Sequence, residues 1–233
     1  MRRRAKTLRH LSVLFITLII FALGILIGNT TESLRVQHLY TQLQEQDLEY
    51  QNILTESEFL DYLLSLSTTD GVSCQLLLDT FSSSINHLET SRIKLENYLN
   101  AAEVKEEELL RLKDQYAGLQ INYWIMNEKI TSLCGPEILS ILYFYTDDNE
   151  CGLCEDQGIH LSYVKEKLGK KVLVFSFDAG RAGPISLLMK NFNVSSNEVP
   201  TLVIQGDKFG FNNNKNILNI LCEKGLDDHN CVK

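Results

Sequence analysis

Cys151, Gly152, Leu153 and Cys154 set two thiols three residues apart. If this stretch opens a helix, one turn brings the sulfurs within bonding reach. They then serve either as a dithiol that cycles with a disulfide or as a disulfide that only braces the chain. The same spacing is half of a zinc site. His160 could supply a third ligand but the fourth is missing, so no metal is expected. Cys74, Cys134, Cys222 and Cys231 bring the cysteine total to 6, an even number that suits disulfides in an oxidising compartment. Cys222 and Cys231 could clip the C-terminal tail to the last helix. Cys74 and Cys134 flank a long helical stretch and can pair only if it folds back.

The N-terminus bears on the compartment. Arg2, Arg3, Arg4, Lys6 and Arg9 crowd the first ten residues, which hold no acid, and residues 11–28 carry no charge. Such a run makes about 27 Å of helix, close to one hydrocarbon core. Positive flanks stay in the cytoplasm. The expectation is a single-pass membrane protein: 1–10 a cytoplasmic basic tail, 11–28 a transmembrane helix, and the remainder extracytoplasmic. A cleaved signal peptide is the alternative. Its apolar run is usually about 7–15 residues and ends in a small-x-small site, for which Gly24 and Gly28 are poorly spaced. Either way the bulk of the chain is exported.

Residues 30–132 contain no proline, and glycine only at Gly71 and Gly118. Leu88, Leu95, Ala102, Leu109, Tyr116, Tyr123 and Ile130 recur at heptad spacing, with Leu112, Leu119 and Met126 at the three-residue offset. This predicts an all-α, coiled-coil-like region that reads as a helical stalk. A turn is expected near Asp70 and Gly71, and a break in the second segment near 97–100. The apolar stripe serves either as intramolecular core or as the surface of a homodimer. No catalytic constellation lies in it. Over the whole 233-residue chain, 44% hydrophobic and 22% charged residues suffice for a packed core. The net charge of −8 argues against a nucleic-acid partner.

The pattern changes after Cys134, Gly135 and Pro136, and residues 136–233 read as one domain. Apolar, β-rich runs at 138–146, 170–177, 198–204 and 208–211 predict strands. Helices are predicted at 157–168, 184–192 and 216–224. In the first of these, Ile159, Val164 and Leu168 are the expected apolar positions. The alternation gives an α/β domain, a central mixed sheet with flanking helices.

The strand leading into Cys151-Gly152-Leu153-Cys154, followed about fifty residues later by Val199-Pro200-Thr201, an apolar strand and Gly206-Asp207, resembles the thioredoxin superfamily. The likeness covers residues 137–224. It implies a thioredoxin-like fold, a cis bond before Pro200, and substrate contact through Val199 and Pro200. It implies that Cys151 is the nucleophile and Cys154 the resolving cysteine, with no bound cofactor. The helix dipole favours the Cys151 thiolate. Asp147, Asp148, Glu150, Glu155 and Asp156 oppose it and should raise the thiol pKa. Glu150 stands where many thioredoxins carry tryptophan, and no buried acid falls near Phe144 or Tyr145. The expected partners are exported proteins bearing thiols or disulfides. Because the apolar span holds no cysteine, cycling requires a membrane partner with its own redox cysteines. The other reading is a redox-silent interaction module on a helical membrane stalk.

Overall fold

The computed structural model describes residues 16–21, 51, 54–55, 57–59, 61–65, 74–99, 106–135, 138–146, 151–227, 229 and 231. The chain divides into two compact units, 1–52 and 53–233. In the first, residues 16–21 are helical and exposed. The expected transmembrane helix, 11–28, otherwise lies outside the described residues. Among the described residues no helix is long and apolar enough to cross a membrane. The predicted turn at Asp70 and Gly71 also lies outside them.

The second unit joins a helical region to an α/β domain. Helix α1 is Cys74–Leu99 and helix α2 is Glu106–Cys134. The first helix therefore stops where Asn97 and Asn100 weaken helix propensity. A disulfide between Cys74 and Cys134 ties the start of α1 to the end of α2, so the two run as an antiparallel hairpin. The Tyr123 hydroxyl donates to the Ser84 carbonyl at 2.8 Å, and its ring meets Phe81 edge-on.

After the hairpin come strand β1 (Leu139–Tyr145), helix α3 (Cys154–Leu168), strand β2 (Val172–Asp178) and helix α4 (Pro184–Asn191). Strands β3 (Thr201–Ile204) and β4 (Asp207–Phe209) and helix α5 (Asn214–Glu223) complete the chain. The sheet order is β2-β1-β3-β4. β1 and β2 are parallel, and the other neighbours are antiparallel. Between β3 and β4, Gln205 and Gly206 both take positive φ (48° and 85°). That suits the tight two-residue hairpin, and glycine reaches it without strain.

Burial explains the run of apolar residues in β1. Its central place puts protein on both faces, and six of its seven residues are buried. Leu139, Ile141 and Tyr143 point to one face, where they meet Leu161, Val164 and Leu168 of α3 and Ile217 and Leu221 of α5. Phe144 points to the other, against Phe177. The Asn127 amide of α2 donates to the Ile138 carbonyl and the Ser140 hydroxyl.

Helix α2 also seals part of the β2 edge. The Gln120 side chain accepts from the Ser176 N–H (2.7 Å) and donates to the Ser176 carbonyl (2.9 Å). A side-chain amide thus stands in for a neighbouring strand at this edge. Leu88, Leu119, Tyr123, Met126 and Ile130 of the predicted seam are buried within the unit. Helix α2 packs along β1 and β2, which gives its apolar side chains a surface to cover.

Candidate functional site

The parallel β1 runs out at Tyr145, and the chain re-enters the described structure at Cys151. Helix α3 begins at Cys154 itself, ahead of the predicted start at 157. Cys151 and Cys154 are joined as a disulfide, with Cα atoms 5.4 Å apart. The Cys154 N–H donates to the Cys151 carbonyl at 3.3 Å, closing the turn beneath the bond. Cys154 is buried, Cys151 is partly exposed, and Leu153 between them is 47% exposed. No side chain caps the helix at Leu153. First-turn N–H groups are therefore left to favour negative charge at the adjoining sulfur. Glu155 and Asp156 share that first turn, and both are exposed.

Two buried polar groups that sequence reasoning did not single out hold this turn. The Tyr143 hydroxyl donates to the Cys154 carbonyl at 2.6 Å, and burial lifts its pKa to about 12. Gln157, fully buried, donates to the Asn212 carbonyl (3.0 Å) and accepts from the Asn212 N–H (2.8 Å). That couples the first turn of α3 to the loop before α5. A signal for Gln157 was present: Cys154, Leu161, Val164 and Leu168 form the buried stripe, and position 157 falls on it. Ile159, expected on the apolar face, is 61% exposed. Leu161 shares the inner face with Val164 and Leu168 at helical spacing, and Ile159 does not.

Pro200 is buried and follows a cis bond from Val199. The next residue, Thr201, pairs with Phe144 near the end of β1 that leads toward Cys151. A short 3₁₀ turn, Ser196–Glu198, sets the approach. The Ser195 hydroxyl accepts from the Asn197 N–H, while the Glu198 carboxylate accepts from the Ser195 N–H at 3.3 Å. Lys208 of β4 pairs with the same carboxylate at 2.9 Å and holds its pKa below the usual value. The Glu198 carbonyl accepts from the Thr201 hydroxyl. Val199 and Pro200 thus sit between a capped turn and a central strand.

Cys222 and Cys231 are joined by a disulfide near the end of α5. Cys74 and Cys134 are joined across the helical hairpin. Neither pair shares an element with Cys151. His160 packs edge-on against Phe211, and among the described residues no group of three or more His, Cys, Asp or Glu could hold a metal. Asp178 makes a turn: its carboxylate accepts from the Gly180 N–H and its carbonyl from the Arg181 N–H. The chain matches no family model, no curated protein and no solved structure.

Proposed function

We propose that the protein is a thiol–disulfide oxidoreductase of thioredoxin type, held at a membrane by residues 11–28 and acting outside the cytoplasm on exported proteins. The observation that carries this reading is the Cys151–Cys154 disulfide at the uncapped start of α3, with Cys151 partly exposed and Cys154 buried. In the reducing direction the Cys151 thiolate attacks one sulfur of a substrate disulfide. That bond breaks, and the departing substrate thiolate takes a proton from solvent. The Cys154 thiolate then attacks Cys151, releasing the second substrate thiol and leaving the enzyme disulfide. Two electrons pass to the substrate. Oxidation of a substrate dithiol runs the same steps backwards. In this reading Val199 and Pro200, which lead into the strand that pairs with β1, would contact an extended substrate. Re-reduction or re-oxidation falls to a membrane partner with redox cysteines.

A second reading, a redox-silent interaction module, draws support from Glu155 and Asp156 in the first turn of α3. Their charge disfavours a thiolate beside them. Insulin reduction and dithiol-peptide oxidation by the whole chain in detergent, with Cys151→Ser as control, separate the two. The oxidoreductase shows turnover that the variant loses. Equal rates for both proteins would leave the module reading.

A further inference from the structure

The edge of β2 is sealed at Ser176 by the Gln120 amide. In a strand, backbone groups two residues apart point the same way. The N–H and C=O of Val174 therefore face the same edge as those of Ser176. Among the described residues none bonds to them. Val174 lines two adjoining cavities, of about 620 and about 290 Å3, which also share Tyr116, Lys165 and Gly169. They lie between the α1–α2 hairpin on one side and β2 and α3 on the other. The smaller is walled by Phe81, Ile85, Leu88 and Ile138.

We propose that this groove takes up an extended, acidic peptide segment that pairs through its backbone with β2 at Val174. Gln120 shows that an amide fits the edge, and the chemistry that continues the pattern is another amide two residues along. Apolar side chains of the segment enter the slot beside Phe81 and Ile85. Charge selects the sequence. The cavities are lined by Arg92, Lys165 and Lys170 against Glu89 and Glu166, a local positive excess in a chain of net charge −8. Arg92 is paired with both Glu89 (2.6 Å) and Glu96, whereas Lys165 meets Glu89 only at 3.7 Å, is about half exposed, and can take a further carboxylate. This site is independent of the cysteine chemistry.

The test is fluorescence anisotropy of the full chain with a labelled, capped Val-Glu-Val-Glu-Val peptide. Saturable binding is expected. Methylation of the central peptide nitrogens should weaken it by roughly tenfold or more, as loss of backbone hydrogen bonds requires. Replacing the two glutamates by lysine, or making Lys165→Glu with Lys170→Glu in a protein of unchanged circular dichroism, should each cost roughly as much. Cys151→Ser should bind as the parent does, so failure here is distinct from failure of the redox reading. Absence of saturable binding, including absence because the chain's own residues fill the groove, overturns the proposal. So does equal affinity for the methylated peptide.

Discussion

Two disulfides in this protein close loops of very different size. Cys74–Cys134 spans 60 residues and fastens the ends of the helical hairpin, while Cys151–Cys154 spans 3 at the entry to α3. A helix start does not distinguish them, since Cys74 opens α1 as Cys154 opens α3. Loop length does. Chain-entropy arguments give the long loop about 4 kcal/mol of stabilisation and the short one about 2. Opening the long bond frees two helix ends. Opening the short one leaves both cysteines on a turn still closed by the Cys154 N–H to Cys151 carbonyl bond. A bond that contributes little to folding and sits on a supported turn can be broken and remade while the fold stands.

The sharpest way to break this comparison is to remove each bond in turn. Cys74→Ser with Cys134→Ser should lower the free energy of unfolding by about 4 kcal/mol in urea, with disulfide exchange retained under native conditions. Cys151→Ser should cost about 2 kcal/mol or less and abolish exchange. If Cys151→Ser costs more stability than the hairpin pair, the Cys151–Cys154 bond is a brace and the redox reading loses its footing.

A smaller effect separates the two ways in which the hairpin is fixed. Gln120 is buried and satisfies both backbone groups of Ser176. Gln120→Leu keeps the bulk but strands those groups, at about 1–3 kcal/mol. Hydrogen exchange should rise at the Ser176 amide while the Tyr143 amide in central β1 stays protected. Uniform loss of protection across both strands would mean that the edge is not held locally.

The elements were more legible in the sequence than their arrangement. Apolar runs such as 138–146 announce a strand buried on both faces, and Pro184 marks a helix start. The heptad stripe was legible as helix, but not as the cover of a sheet. Leu88, Tyr123 and Ile130 repeat alike whether they face a second chain or the rest of this one, because periodicity records that a face is buried and not what buries it. Gln120, Gln157 and Tyr143 were missed for a related reason. Each looks solvent-facing or merely aromatic by type, and its role depends on a partner remote in the chain: Ser176 for Gln120, Asn212 for Gln157, and the Cys154 carbonyl for Tyr143. The cysteine pair was readable because its partners lie three residues apart.

Tyr143→Phe tests the support of the cysteine turn directly. It removes one buried hydroxyl donor and leaves the Cys154 carbonyl without it, at about 1 kcal/mol. The phenol's raised pKa adds a sign. Below about pH 10 both states are neutral, and as pH climbs toward 12 the unfolded phenol ionises first. Stability from this group is therefore complete below pH 10 and falls above it. The variant should show a shallower alkaline decline, and an identical decline would place the loss elsewhere.

The smallest effect concerns where α2 meets the sheet, at Glu128. Burial raises its pKa above the ordinary 4.5, against the hydrogen bonds from Trp124 and Ser140 that lower it. A carboxyl lifted in this way contributes stability that is complete below its unfolded pKa. That contribution is lost as pH rises through the folded value. Glu89 and Glu198, held low by Arg92 and Lys208, behave oppositely and lose their contribution as pH falls. The difference in stability between the parent and Glu128→Gln isolates the first trend, and it should shift against the parent as pH rises above the ordinary 4.5. Trp124, the chain's sole tryptophan, donates to Glu128 at 3.1 Å, so its fluorescence reports the same ionisation in the folded protein. A fluorescence midpoint at or below 4.5 would show that Glu128 is solvated where α2 meets the sheet.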